Sequence, residues 1–440
     1  MGSEMCIRDR DSSRILKVVP AVVVRPHSTL EVAKVVKLAN EEKIPVVPRG
    51  GATSLVGGAV PPKEESIVID LTGMDKIMEI SIEDLRAEVE AGVIHAKLEE
   101  ELAKYNLFWP PDPGSSDNCT VGGVLAMNAG GMRAVKYGTA RNWVLGLKVV
   151  LPTGDIIKTG AKTIKSNVGY DLTRLFVGSE GTLGIITEAS LRVVPLPESI
   201  ARVSAFFDKI EDAGRAVVEV FKTGVVPLIM ELADRNIIRA VNKWLNLNLP
   251  EKEAYMLVDV DGTPEQVAKL AQRVGEALKR CGGTDIGIAT DKEEMEKLYM
   301  IRERGPTALP NITGKMNLTQ DFCVPLSKLP QAFRGVYEIS EKLNIPVAIV
   351  SHAGDGNVHP IFSIDLEAPD AHDVIKNIVR EICKLALRLG GTISGEHGIG
   401  ITKAPYLEME LTSTEINIQK EIKKIFDPKG ILNPGKIFLS

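Results

Sequence analysis

His352 and His359 flank the run Ala353-Gly354-Asp355-Gly356-Asn357-Val358, so two of the six histidines in the chain stand within eight residues. Asp-Gly between two apolar runs is a strong hairpin signal. With Asp355 and Gly356 as the central turn residues, Gly354 pairs with Asn357, Ala353 with Val358, and His352 with His359. Imidazoles directly opposite on one sheet face have Cβ atoms roughly 4.5–5.5 Å apart, a spacing that suits two ligands of one divalent metal. A histidine pair packed on a sheet and satisfied by hydrogen bonds gives the same pattern, and the spacing leaves both open. Glu396, in Gly395-Glu396-His397-Gly398, offers a third, oxygen ligand. Histidine and carboxylate ligands with an open position make a catalytic rather than a closed structural site. His397 cannot easily face the same way as its neighbour, which leaves it available as a general base. Arg302 sits in Met300-Ile301-Arg302-Glu303-Arg304 at the end of a charged helix. A guanidinium near a metal would hold a carboxylate bidentately, although an exposed helix face accounts for it better on spacing alone.

A second chemistry is written in glycines. Thirteen of the 39 glycines fall between Pro110 and Gly184, a density that lets backbone approach a ligand closely or adopt positive φ. Arg49-Gly50-Gly51-Ala52-Thr53-Ser54 follows a strand, with Gly57 and Gly58 just beyond. Such a turn presents several backbone N–H groups to one point, and the Thr53 and Ser54 hydroxyls add donors, as a phosphate or pyrophosphate requires. It is neither GxGxxG nor GxxxxGK[ST], so neither nicotinamide nor P-loop binding follows. On this turn alone, a plain loop accounts for it better. Further glycine-rich segments are Pro113-Gly114-Ser115-Ser116, Thr120-Val121-Gly122-Gly123, Asn128-Ala129-Gly130-Gly131 and Gly178 to Thr187. Several in one region suggest an extended ligand rather than a mononucleotide.

The elements that must carry these residues divide the chain. Residues 18–70 read as strand, helix, strand, strand, the helix carrying Leu30, Val32, Val35, Val36 and Leu38 at helical spacing behind a Ser28 or Thr29 cap. Residues 75–195 read as short strands between glycine turns. The glycine clustering stops near Pro195 and Pro197, and residues 201–400 alternate strands with longer helices, as two αβ units around an antiparallel sheet. The expected boundaries are a prefix at 1–17, a first domain at 18–197, a second at 198–404 and a closing segment at 405–440. The first ten residues, MGSEMCIRDR, lack an apolar core and are not a signal peptide. They match nothing that follows, and the prefix is expected to be non-native or disordered.

Composition excludes several classes. The chain has 440 residues, 44% hydrophobic and 25% charged, with a net charge of −5, so no basic surplus suggests a nucleic-acid partner. No apolar run approaches the ~20 residues that span a bilayer. Cys6, Cys119, Cys281, Cys323 and Cys383 are isolated, which rules out a cysteine-ligated cluster or zinc ribbon and fits a reducing cytoplasm.

Taken together, PRGGATSLVGG, PPDPGSS, CTVGG, NAGG, VGSEGTLGIIT, HAGDGNVHP, SGEHGIG and LNPGK occur in an order that resembles the FAD-linked oxidase family, with its vanillyl-alcohol-oxidase-like flavin domain. The similarity is to the branch holding the glycolate oxidase catalytic subunit and FAD-dependent D-lactate dehydrogenase. It implies an α+β fold: a two-part FAD-binding domain, made of a small αβ unit and a mixed sheet, and a ferredoxin-like αβ cap domain with an antiparallel sheet. It also implies an FAD site at Arg49, Gly50, Gly51, Ala52, Thr53, Ser54, Pro113, Gly114, Ser115, Ser116, Gly122, Gly123, Asn128, Gly138, Glu180, Gly184, Ile185, Ile186 and Asn433. His352, His359 and Glu396 would bind a divalent metal, usually zinc, His397 would be the base and Arg302 would hold the substrate carboxylate. Members that attach flavin covalently carry a histidine where Ala52 and Thr53 stand, so the FAD is expected to be non-covalent. The 2-hydroxyglutarate branch has a lysine at the place of Thr319 and an asparagine at that of Ile361, which favours a small monocarboxylate. The implied activity is oxidation of a D-2-hydroxy acid, with a D-2-hydroxyglutarate dehydrogenase and a His/His/Glu metallohydrolase as alternatives. The expected partners are the 2-hydroxy acid, an electron-transfer partner such as an iron–sulfur subunit or an electron-transfer flavoprotein, and a second copy in a homodimer. The enzyme would be cytoplasmic, or peripheral at a membrane through its partner.

Overall fold

The computed structural model describes residues 8–366 and 368–439. The chain folds as two compact units. The first combines the chain up to Gly131 with Tyr137–Leu196 and everything from Glu396 onward; the second combines Met132–Lys136 with Pro197–Gly395. Most of the MGSEMCIRDR prefix, residues 1–7, lies outside the described residues.

In the first unit, strands β1 (Val22–Val24), β2 (Val46–Arg49) and β3 (Ile67–Asp70) form a parallel sheet in the order β1-β3-β2. The helix Thr29–Glu42 connects β1 to β2; Ser28 caps it by accepting from the Glu31 N–H, and Lys43 closes it in the left-handed region. Its buried stripe is Thr29, Val32, Ala33, Val36 and Ala39, whereas Leu30 and Leu38 face solvent. The helix was legible but its face was not, because the small Ala33 and Ala39 line the packed side. They meet Val46, Ile67 and Ile69 of the sheet, with Ile431 and Leu432 from the chain's end in the same cluster.

Strands β4 (Ile77–Ser81), β5 (Arg86–Glu90), β7 (Val144–Val150), β8 (Ile156–Gly160) and β9 (Ile185–Arg192) form a second sheet in the order β4-β5-β9-β7-β8. Where a mixed sheet is expected, every pairing is antiparallel. The short turns joining β4 to β5 and β7 to β8 allow only a hairpin, since parallel neighbours need a long crossover. Two short strands, β6 (Leu107–Phe108) and β10 (Val194–Pro195), pair beside it.

The second unit holds an eight-stranded antiparallel sheet. Its strands are β11 (Ser199–Phe207), β12 (Ile229–Asp234), β13 (Ala254–Gly262), β14 (Thr284–Ala289), β15 (Met316–Thr319), β16 (Phe322–Cys323), β17 (Val347–His352) and β18 (Asn357–Ile364). The order is β14-β11-β13-β12-β17-β18-β15, with β16 also on β18. The helices Ile210–Lys222, Pro264–Arg280, Leu329–Leu343 and Ala371–Arg388 pack on one another in one layer; Arg235–Leu245 and Lys292–Thr313 pack together in another. Register puts Arg202, Asp259, Glu231, His352, Asn357 and His359 on a single sheet face, since side chains alternate along each strand.

Candidate active site

The expected anion nest follows β2 in the first unit. A Cβ on Gly50 would lie 2.1 Å from Thr120 Oγ1, and one on Gly51 would lie 1.8 Å from the Asn118 carbonyl oxygen. Only glycine lets this turn approach the loop ahead of the helix Val121–Met127. Ala52 takes a positive φ of 53°. Ser54 Oγ accepts from the Val56 and Gly58 N–H groups, so that hydroxyl organises the loop itself. Asn433 is buried; its Nδ2 donates to the carbonyls of Gly58 and Glu180, while its Oδ1 is buried with no hydrogen-bond partner. A crowded glycine cradle and an orphaned buried acceptor are what a polar dinucleotide group would satisfy, so these residues fit FAD.

The remaining expected cofactor residues fall into two groups. Gly114 borders open space, and Ser116 Oγ lies 2.7 Å from Nδ1 of buried His95, whose Nε2 contacts the Pro111 carbonyl at 2.7 Å. Asn128 ends its helix in the left-handed region, and its Oδ1 accepts from Thr139 Oγ1 and the Arg141 N–H, which holds the turn at Gly138. Gly123 N–H donates to the Thr120 cap, and Gly122 packs against Ala91. Ile185 and Ile186 are buried core residues at the start of β9, and a Cβ on Gly184 would collide with Val149 and Phe176. Their side chains are committed to packing, which leaves backbone as their means of touching a ligand.

Residues 8–17, the described part of the prefix expected to be non-native or disordered, lie against the nest. The N–H groups of Ser12 and Ser13 donate to the carbonyls of Ala52 and Ser54. Arg49 Nη1 donates to the Arg10 carbonyl at 2.8 Å, and Arg8 pairs with Asp70. Buried Asp11 accepts from Ser13. Burial raises its pKa above the ordinary carboxylate value despite those bonds. A short polar stretch with no apolar periodicity left no trace of this role in the sequence.

Glu180 is buried at a left-handed φ of 54°. Its two oxygens accept from the N–H groups of Ile399 (2.7 Å) and Gly400 (2.8 Å). Those amides follow His397, so Glu180 fixes the backbone of the His397 loop. Burial raises its pKa, with the two amides opposing. His397 Nε2 lies 3.9 Å from Glu396 Oε1.

The hairpin of β17 and β18 carries both candidate imidazoles, with a register that differs from expectation. His352 pairs with Asn357, and His359 pairs with Val350. Four residues, 353–356, form the turn. Asp355 Oδ1 accepts from the Asn357 N–H, and Gly356 takes φ 83°, so the Asp-Gly pair ends a longer loop rather than making a two-residue one. His352 and His359 become diagonal neighbours on the same face. Their rings still meet, with centroids 5.0 Å apart at 83°.

Gly395 is tied to this face: its N–H donates to buried Asp321 at 2.6 Å, and a Cβ there would strike Asn357 Oδ1 at 2.7 Å. Glu396 follows by one peptide bond. One ligand atom from each of His352, His359 and Glu396 lies within 4.8 Å of the others. Two imidazoles and a carboxylate at that separation fit a divalent ion.

Arg302 lies in the middle of the helix Lys292–Thr313, not at its end, because that helix continues through Pro306 and Pro310 where each proline reads as a stop. Its Nε donates to Glu231 Oε2 at 2.5 Å, and Glu231 Oε1 lies 2.7 Å from His352 Nδ1. Burial alone would raise Glu231; His352 and Arg302 outweigh it and hold the carboxyl below its ordinary range. Glu231 went unnoticed in the sequence. A lone charge inside Ile229-Met230-Glu231-Leu232-Ala233 was the available signal, since an unpaired carboxylate is rarely buried.

Residues 20–160 match the family of FAD binding domains, and residues 196–437 match the family described as FAD linked oxidases, C-terminal domain. Glycolate oxidase subunit GlcD of Bacillus subtilis is 38% identical over 420 residues, covering 95% of this chain and 89% of that protein. The mitochondrial D-lactate dehydrogenase (cytochrome) of Arabidopsis thaliana is 37% identical, covering 95% and 73%. D-lactate dehydrogenase of Archaeoglobus fulgidus is 38% identical, covering 94% and 91%. Among solved structures, p-cresol methylhydroxylase with substrate bound aligns with a TM-score of 0.82 at 17% identity over 100% of this chain and 93% of that one, which is a likeness of fold. The chain belongs to the FAD-linked oxidases.

Proposed function

We propose that this FAD-linked oxidase converts a small D-2-hydroxy acid, of the D-lactate or glycolate type, to the 2-oxo acid. The observation that carries this reading is the cluster of His352, His359 and Glu396, with Arg302 joined to His352 through one buried carboxylate. The names of the relatives, glycolate oxidase subunit and D-lactate dehydrogenase, support the same substrate class.

FAD supplies the hydride acceptor, and a divalent ion, zinc by the donor set, supplies a Lewis acid. His352, His359 and Glu396 hold that ion. Arg302 binds the substrate carboxylate. His397 takes the hydroxyl proton at Nε2, and the Glu180 carboxylate steadies its loop through the Ile399 and Gly400 amides. Ile361, buried two residues beyond His359 and paired with Thr319, presents no charge for a second substrate carboxylate. FAD is bound without a covalent link, since Ala52 and Thr53 offer no imidazole.

An electron-transfer partner takes the electrons onward, a reading supported by a relative named as a subunit. The isolated cysteines support a cytoplasmic location. Among the described residues no helix is long and apolar enough to cross a membrane.

The test is an anaerobic titration of the purified protein with a panel of D- and L-2-hydroxy acids, following the flavin band. D-lactate or glycolate should bleach it, with L-lactate and D-2-hydroxyglutarate far weaker. A flavin that no 2-hydroxy acid bleaches refutes the activity, and preferential bleaching by D-2-hydroxyglutarate refutes the monocarboxylate choice. After removal of metal with a chelator, the colour should persist and the bleaching should be lost.

A further inference from the structure

We infer that Glu231 is a positioning residue that makes metal retention and substrate-carboxylate binding interdependent; the inference rests on the roles proposed above for His352 and Arg302. Glu231 stands in β12 directly beside His352 of β17, in register with it, and is 1% exposed. Each of its oxygens serves a different neighbour: Oε1 meets His352 Nδ1 at 2.7 Å and Oε2 takes Arg302 Nε–H at 2.5 Å.

The two contacts have separate consequences. A carboxylate against Nδ1 keeps the proton on that nitrogen and turns the lone pair of Nε2 outward as the metal ligand. A carboxylate on Nε fixes the plane of the guanidinium, so bidentate recognition of a substrate would use the Nη1–Nη2 edge. One side chain therefore sets the aim of both groups.

The other acid in this part of the face cannot substitute. Asp259 lies two positions along in register, but both its oxygens hold Arg202, each at 2.7 Å. Nor can an amide replace Glu231 without conflict. Gln has one acceptor, so its NH2 would face either the Arg302 Nε–H or the protonated Nδ1 of His352.

The experiment compares the parent with Glu231→Gln and Glu231→Asp as FAD-loaded full-length chains. Zinc affinity is measured by competition with a chromophoric chelator, which needs no turnover. KM and kcat are then measured with D-lactate or glycolate at saturating zinc. Glu231→Gln should weaken zinc binding about 10- to 100-fold. It should also raise KM by about tenfold or more while kcat at saturating zinc stays within about threefold, because ion saturation restores the metal but not the aim of Arg302. Glu231→Asp keeps the charge but is one methylene short of spanning both partners, so it should recover one readout and not both. Unchanged zinc affinity and KM in Glu231→Gln would overturn the inference. So would losses that appear only together with released flavin and a lowered melting temperature, which mark a general folding defect. A parent that no 2-hydroxy acid reduces would instead remove the proposed activity, and the zinc competition would still judge the contact between Glu231 and His352.

Discussion

Asp234 shows how a single buried acid shapes this protein away from its chemistry. It ends β12, caps the helix Arg235–Leu245 through the Asn236 and Ile237 N–H groups, and accepts from Tyr337 Oη at 2.8 Å. Burial raises its pKa from 3.8 to about 6, with those hydrogen bonds opposing. A carboxyl raised on folding is most comfortable when neutral. Its contribution is fully present below the unfolded value of 3.8 and is lost as pH climbs through about 6. At neutral pH the charged form costs up to about 3 kcal/mol, two pKa units at 1.36 kcal/mol each. Asparagine also caps helices well, and the tyrosine hydroxyl can turn to accept from its amide. Asp234→Asn should therefore raise stability by about 1–3 kcal/mol near pH 7 and by almost nothing near pH 4, as denaturant unfolding at the two pH values would report. An equal effect at both would show that charge is not the cause. At this scale the sequence was readable only where residue types cluster. His352, His359, Glu396 and His397 advertised themselves by type and spacing. Glu231 and Asp234 are lone acids whose partners lie far along the chain, and Glu180, named for the flavin site by family resemblance, instead holds the Ile399 and Gly400 amides; no local pattern encodes a partner 121 or 219 residues away.

The loops between elements were legible as loops and not as geometry. The HAGDGNVHP hairpin was found by its Asp-Gly signal, yet the signal does not say whether two or four residues make the turn. That difference moved His352 from opposite His359 to opposite Asn357. The pairing survived because a shift of two residues keeps side chains on the same face. The helix of Arg302 likewise reads in the sequence as ending at residues 300–304, whereas tertiary packing carries it past Pro306 and Pro310 to Thr313. Glycine marks the crowded turn after β2, and that turn makes a sharp prediction. Gly51→Ala would drive a Cβ to 1.8 Å from the Asn118 carbonyl oxygen, whereas Gly114 has nothing within 4 Å. Backbone must move in the first case and need not in the second. Gly51→Ala should purify with little flavin, reading at least tenfold below the parent in the ratio of flavin to protein absorbance. Gly114→Ala should stay within about twofold. Equal flavin content in the two variants would mean that this turn does not shape the dinucleotide site.

On the scale of the chain, the first unit is assembled from pieces far apart in sequence, and its last piece is the tail. Ile431 and Leu432 are buried in the cluster under the parallel sheet, and Val46 N–H and Asn433 N–H bond across this junction to Ile431 and Val46 carbonyls. Lys423 Nζ reaches the carbonyls of Thr182 and Leu432, Lys436 Nζ reaches that of Val60, and Phe426 stacks edge-on against Phe176. Burial lowers the Lys436 pKa to about 8 while Asp11 and Glu180 oppose it, so a lysine is being held in the interior next to the glycine loops. Two buried aliphatic side chains at about 1.5–3 kcal/mol each and the four of these hydrogen bonds that join the tail to the rest of the unit, at about 1 kcal/mol each, sum to the size of a whole domain's stability. Sequence reading marked 405–440 as a closing segment, one helix and a turn, that returns to the flavin, on the LNPGK motif that the family resemblance supplies. Its dependence on β2 is a long-range packing fact. A chain stopped after Ala404 keeps all of residues 20–160, the stretch that matches the FAD binding domain. It should nevertheless purify colourless, fail to recover the flavin band in excess FAD, and lose the FAD-induced rise in melting temperature that the full chain shows. Binding to the folded state alone is worth about 2.7 kcal/mol at a hundredfold excess over Kd, so that rise is large enough to score. Stoichiometric flavin in the shortened protein would mean that the matched domain holds the dinucleotide by itself and that the tail only covers it.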